Sequence, residues 1–178
     1  MNVRRVIAGE LRGGSSGIAS DSLAEKTHNF HSIPGLSDSL VWVLSSSANV
    51  DHFQDQTTTL GYSIPRPGEV FARMVQIPPD SVFASRQFDP IEAQAEMALA
   101  MPDVEMQSGA EAGMHQTPTF DIVIVESGAL HLVMENGDTA ELRQADVVVQ
   151  LGGMHRWSNV TDEPARIFVV SIPRPARV

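Results

Sequence analysis

Apolar residues in this chain fall into short runs separated by clusters of glycine, proline, serine and asparagine. Residues 3–7 predict a first strand, followed by a glycine- and serine-rich turn over residues 12–17 and a short continuation through Ile18 and Ala19. A start of this kind is expected to lie against the edge of a larger sheet. Residues 40–44 are a dense apolar run bounded by serines, which suits a buried strand, and residues 45–59 are polar and unpatterned, which suits a loop. Pro65 and Pro67 remove ladder donors, so residues 64–68 mark an edge or a crossing into the main body. Residues 70–77 alternate as a strand and stop at Pro78 and Pro79.

Between residues 88 and 101 the period changes to that of a helix, with Ile91, Ala95, Ala98 and Leu99 on one side, Glu92 and Glu96 opposite, and Asp89-Pro90 as the start. This helix is expected to pack its alanines and methionines on the outside of the body. Strand patterning then returns in residues 122–125, 130–134, 139–142, 147–149, the segment around His155, and 166–172. Asn136-Gly137 predicts a type I′ hairpin turn. Short strands at intervals of roughly 8–12 residues, with no helices between them, indicate a sandwich or barrel.

Composition narrows the possibilities. With 178 residues and 42% hydrophobic content, the chain can bury one core, and a single domain over residues 1–178 is expected. Residues 1–67 would supply N-terminal strands and loops, and residues 68–178 the barrel core. A net charge of −10 leaves little to attract nucleic acid or anionic lipid, so neither is expected as a partner. The absence of cysteine removes disulfides, thiolate metal sites and thiol nucleophiles together. The start lacks an unbroken apolar segment of the signal-peptide kind, and no window reads as a membrane span, so a cytoplasmic location is expected.

The residue types that carry chemistry concentrate between Gly113 and Asn159. Side chains alternate across a strand, so His115, Thr117, Asp121, Val123 and Val125 share one face if the strand runs unbroken from His115, although Pro118 stands in its path. His155 enters from a later strand beyond the hairpin. Two imidazoles and one carboxylate can then meet in a single cavity. His131 has opposite parity to Leu130 and Leu132 and faces either inward or outward, while His28, His31 and His52 read as loop residues.

These spacings resemble the cupin superfamily. Its first motif is matched by His115-Gln116-Thr117, three residues, Asp121, six residues and Gly128, with Thr117 where a second histidine stands and Asp121 where a glutamate stands. Its second motif is matched by Gly152, two residues, His155, three residues and Asn159, with Ala145-Asp146 at the usual Gly-Asp and Gln150 at the usual proline. Val147, Val148, Val149, Trp157 and residues 162–166 also look like a subgroup of small stand-alone cupins in which threonine and aspartate hold those two positions.

The resemblance implies an all-β, double-stranded β-helix (jelly-roll) barrel with an N-terminal strand extension and one flanking helix. It also implies a small-molecule substrate and a homodimer formed through the N-terminal strands. The superfamily's metal ligands carry over only at His115 and His155, with Asp121 as a shortened stand-in. That set can be offered to iron, manganese, nickel or zinc, but no cofactor is required by the reading ranked first.

On that first reading the protein does acid–base chemistry on an oxygenated carbonyl compound: isomerisation, dehydration, cyclisation or decarboxylation. His115 or His155 is the base, Asp121 orients it or relays the proton, and Thr117 positions a substrate oxygen, with Val123 and Trp157 lining the cavity. A metal-dependent cupin such as a dioxygenase and a binding protein without catalysis are the alternatives. Asn159 is expected to close a turn rather than to do chemistry.

Overall fold

A computed structural model describes residues 1–11, 13–45, 55–106 and 113–175. His52, most of the loop expected over residues 45–59 and most of the acidic loop before Gly113 lie outside them. The strands are β1 (Arg4–Glu10), β2 (Ser16–Leu23), β3 (Thr27–Asn29), β4 (Ser37–Ser45) and β5 (Glu69–Ile77). After helix α1 (Pro90–Ala100) come β6 (Glu105–Met106), β7 (His115–Gln116), β8 (Thr119–Ser127), β9 (Ala129–Met134) and β10 (Thr139–Arg143). The last three are β11 (Val147–Gln150), β12 (His155–Ser158) and β13 (Ala165–Pro173).

These strands build an all-β double-stranded β-helix from two facing sheets, in the orders β10-β9-β12-β7-β6 and β11-β8-β13-β5-β4-β3, with antiparallel pairing throughout. Period-two patterning explains which side faces in: along β8, Thr119, Asp121, Val123 and Val125 are buried while Ile122, Ile124 and Glu126 are exposed. Between the sheets Val123, Val125, Leu130, Leu132 and Ile167 form the main apolar cluster.

The structure changes several sequence expectations. Among the described residues the first strand does not join a larger sheet; β1 pairs there only with β2, in a separate two-stranded hairpin. β3 and β4, which precede residue 68, complete the six-stranded sheet, so the barrel wall begins well before that boundary. The Asn136-Gly137 turn is not type I′, because Gly137 has φ of 88° whereas Ala145 is the one residue other than glycine with positive φ among those described. His131 lies between the inward Leu130 and Leu132, on the outer face and away from the cavity.

Helix α1 starts as expected: Asp89 accepts the backbone N–H groups of Ile91 and Glu92, and Pro90 occupies the first turn. Its packing face differs. Ile91 and Leu99 are exposed, and the inward stripe is Ala93, Met97, Ala100 and Met101, at the i, i+4, i+7, i+8 spacing. Glu96 is not on a free surface: its carboxylate accepts the backbone N–H groups of His31 and Ser32 at 3.0 and 2.8 Å, and His28 Nε2 lies 2.9 Å away. Burial raises the pKa of Glu96, but bonds from Ser32, His31 and His28 outweigh it and bring it down to about 2. The helix is thereby tied to the segment carrying Phe30 and Ile33, where sequence reasoning left His28 and His31 as loop residues.

Ala145 stands between β10 and β11 with φ of 73°, where its Cβ is strained. Ala145→Gly is expected to stabilise the fold by about 0.5 kcal/mol, relief of strain being partly offset by the greater freedom of glycine in the unfolded chain. Urea titration of the two forms checks this. Gly128 is held for space as well as for its φ of 79°: a Cβ there would meet the Cα of Ala165 at 2.9 Å.

Candidate active site

A cavity of about 360 Å³ lies between the sheets and is lined by His115, Thr117, Asp121, Val123, His155 and Trp157 among others. All six residues singled out from the sequence therefore share one chamber, by a route the sequence did not predict. The strand expected to run on from His115 is broken at Thr117-Pro118: β7 belongs to the five-stranded sheet and β8 to the six-stranded one. His115 and Asp121 consequently stand on opposite walls. His155 is directly paired with His115 across β12 and β7.

The two imidazoles lie with ring centroids 4.5 Å apart, inclined by 48°. Each is fixed in the same way: Nδ1 of His115 lies 2.8 Å from the carbonyl oxygen of Gly113, and Nδ1 of His155 lies 2.9 Å from that of Gly153. A carbonyl only accepts, so Nδ1 carries the proton in both rings and each Nε2 keeps its lone pair. The expectation that Asp121 orients a histidine gives way to this arrangement, in which backbone carbonyls do so. Asp121 instead ends a hydroxyl chain, its Oδ2 accepting from Thr119 at 3.1 Å while the hydroxyls of Thr119 and Thr117 lie 2.7 Å apart. Trp157 meets the His155 ring edge-on at 6.0 Å.

Burial dominates the electrostatics. Desolvation, reinforced by the neighbouring His155, pushes His115 down to about 4, although the bond to Gly113 opposes the shift. His155 is also lowered by desolvation, against which the Gly153 carbonyl and the charge of Asp121 both work. Both rings are neutral at pH 7.

Sequence reasoning missed Arg73 and Asp38, which also line the cavity. Arg73 Nη1 donates to Asp38 Oδ2 at 3.2 Å, with the two side chains 12% and 15% exposed. The signal was present in period two: Phe71, Arg73, Val75 and Ile77 share a face of β5, so a cation sits at the parity of the core.

Over part of its length the chain is similar to a cupin-domain-containing oxidoreductase of Neurospora crassa, 33% identical over 70 residues, which is 38% of this chain and 36% of that protein. It is also similar to phomopsin biosynthesis cluster protein D of Diaporthe leptostromiformis, 38% identical over 56 residues, which is 32% of this chain and 30% of that protein. The barrel is of the cupin type. These relatives support the cupin superfamily, and the chain spans roughly a third of the length of the curated relatives it matches. No family model matches the chain.

Among solved structures, a putative ethanolamine utilization protein Q from Salmonella typhimurium is similar at 13% identity, covering 98% of this chain and 99% of that one at a TM-score of 0.44. A sugar phosphate isomerase of the cupin superfamily from Silicibacter pomeroyi is similar at 15% identity, covering 98% and 73% at a TM-score of 0.43. The fold assignment rests on the strand pairing rather than on likenesses at this level.

Metal ions are the cofactor that the cupin fold brings to mind. Among the described residues no group of three His, Cys, Asp or Glu side chains is arranged to hold one. The two free Nε2 atoms lie on one sheet and Asp121 on the other, so the set His115, Asp121 and His155 does not close into the three protein ligands of an open catalytic site. Among the described residues no helix is long and apolar enough to cross a membrane.

Proposed function

We propose that this cupin barrel binds a small oxygenated carbonyl compound and moves a proton on it. The observation that carries the reading is the matched pair of neutral imidazoles, each with Nδ1 committed to a backbone carbonyl and Nε2 free beside a largely apolar cavity. His155 is the better base. Desolvation lowers its pKa, but the Gly153 carbonyl and the charge of Asp121 both oppose that shift, whereas His115, lowered to about 4 by desolvation, has the charge of His155 working against it as well and scarcely binds a proton at neutral pH.

In the proposed step, Nε2 of His155 takes a proton from the carbon next to the substrate carbonyl, giving imidazolium and enolate. The imidazolium proton exchanges with solvent, and the imidazolium then returns a proton to that carbon or to a neighbouring one, regenerating the neutral base. Asp121 stabilises the transient imidazolium through its charge, and Thr117 offers a hydroxyl to a substrate oxygen. The test is proton NMR of small cyclic ketones, cyclohexanone included, in deuterated buffer. Protein-dependent exchange at the α-carbon, lost in His155→Ala, supports the reading; exchange no faster than in buffer for every ketone that binds would sink it.

The relatives named as oxidoreductases favour a second reading, redox chemistry, which in the alternative raised from the sequence runs at a divalent metal. The donor set argues against it, so protein purified without chelator is expected to carry well under one equivalent of iron, manganese, nickel or zinc. One equivalent, lost in His115→Ala, would replace the proton-transfer reading with the metal one. A cognate compound that binds and emerges unchanged would instead leave a binding protein.

The same proposal includes a homodimer. The outer face of the six-stranded sheet carries Ile122, Ile124, Val147 and Val149, from 37% to 65% exposed and adjacent in register across β8 and β11. A contiguous apolar face of this kind suits a second copy of the chain. Ile122→Glu combined with Val149→Glu is expected to convert a dimer to a monomer in light scattering, and an unchanged mass would place the contact elsewhere.

A further inference from the structure

The cavity wall on the six-stranded sheet carries four polar atoms that are buried and without partners: Oδ1 of Asp38 and Nε of Arg73, whose side chains already pair with each other through other atoms, and Oδ1 of Asp121 and Nε2 of Gln150, whose side chains do not. Asp121 and Gln150 are 8% and 6% exposed, face each other in register across β8 and β11, and both line the cavity. Asp121 Oδ2 is satisfied by Thr119, but Oδ1 has no partner, and neither does Nε2 of Gln150. An acceptor and a donor thus stand side by side without bonding to each other, on strands that hold in-register Cβ atoms about 5 Å apart. Buried groups of this kind are paired in native proteins, with protein, water or ligand.

Beside them the wall is apolar as far as Arg73 on β5, which stands opposite Val169. The next inward row on the same three strands is Val148, Val123 and Val169, while the row of Gln150 and Asp121 continues to Ser171. The polar row is therefore a narrow stripe on one wall, and the imidazoles of His115 and His155 stand on the other sheet.

We infer that Gln150 and Asp121 are the recognition pair for the polar edge of the substrate. The Gln150 amide donates to a carbonyl oxygen, and Oδ1 of Asp121 accepts from an N–H or O–H next to that carbonyl. The ligand class is a compact, mostly apolar molecule in which a carbonyl and such a donor lie side by side: a lactam, a carboxamide or a hydroxyl-bearing ketone. With this edge on the stripe, the body of the molecule lies toward the imidazoles. The inference rests on the proton-transfer reading only in placing the reacting carbon there. Gln150 is then a specificity-determining residue, and Asp121 serves both the substrate and the charge balance of His155.

Ligand-observed NMR titration with 2-piperidone and cyclohexanone tests the pair, since the two rings are nearly isosteric and differ by N–H against CH₂ beside the carbonyl. The wild type is expected to bind 2-piperidone about ten-fold more tightly than cyclohexanone. Gln150→Met, which keeps the length of the side chain and removes the donor, is expected to weaken both about five-fold, and Asp121→Leu to erase the preference. Equal binding of both rings by the wild type, or wild-type affinities in folded Gln150→Met, would overturn the inference and leave the two atoms satisfied by water. Should Asp121→Leu fail to fold, Gln150→Met decides. The deuterium-exchange assay separates the two ideas: exchange without a lactam preference removes the recognition pair alone, whereas a lactam preference without exchange supports the pair and removes the proton-transfer reading.

Discussion

His155→Ala is expected to lower α-carbon exchange by roughly 10²–10⁴-fold while leaving the barrel folded, because it removes the base and little of the core. His115→Ala should cost less, since a ring whose pKa lies near 4 is a poor proton acceptor at neutral pH and acts through its position beside His155. The pH profile distinguishes these roles. A base works only while neutral, so the rate should be flat at high pH and fall as pH drops through the pKa of His155. Burial places that pKa below 6.5, so activity should persist in mildly acidic buffer where an ordinary histidine is already charged. Asp121→Asn removes the charge that raises it and should move the acid limb to still lower pH. An acid limb unmoved in Asp121→Asn would detach Asp121 from the base.

The same depressed pKa values bear on stability. The unfolded chain binds more protons than the folded one between about 4 and 6.5, so stability is intact above that window and falls as pH is lowered through it. For His115 the loss is on the order of 2–3 kcal/mol. Comparing urea midpoints at pH 7 and pH 4.5 in the wild type and in His115→Gln should show a smaller drop in the variant.

The apolar runs at residues 122–125 and 166–172 made two barrel strands legible, and period two along the full strands, 119–127 and 165–173, states the buried face. The spacings around His115 and His155 likewise brought the imidazoles to one place. Two things were not legible. Pro118 announced a break but not that the chain changes sheets there, because sheet membership depends on partners far away in sequence. The helix stripe was misread because Ile91 and Leu99 are the more apolar residues, while the face actually used is made of Ala93, Met97, Ala100 and Met101. Small and flexible side chains fill the space over Phe30 and Ile33. The unpartnered atoms of Asp121 and Gln150 were beyond sequence reasoning altogether, since a residue type does not reveal which of its bonds go unmade.

Asn159→Ala is expected to cost about 2–4 kcal/mol, although the residue does not line the cavity. Its side chain is fully buried and makes four hydrogen bonds: Nδ2 donates to the carbonyls of Ile77 and Glu163 at 3.2 and 2.8 Å, and Oδ1 accepts from Thr161 N–H and hydroxyl at 3.0 and 2.7 Å. Ile77 ends β5 and Glu163 precedes β13, both in the six-stranded sheet, whereas Asn159 directly follows β12 of the other sheet. The amide therefore fastens the two walls together four residues beyond His155. Alanine would leave the carbonyls of Ile77 and Glu163 and the Thr161 N–H without these partners, the Ile77 bond being the one that is wholly buried. Aspartate would fare no better, because a carboxylate cannot donate to the carbonyls that Nδ2 serves. Thermal unfolding should show both variants melting roughly 5–10 °C below the wild type. A wild-type melting point in Asn159→Ala would mean that the loop over residues 160–164 is held by other bonds.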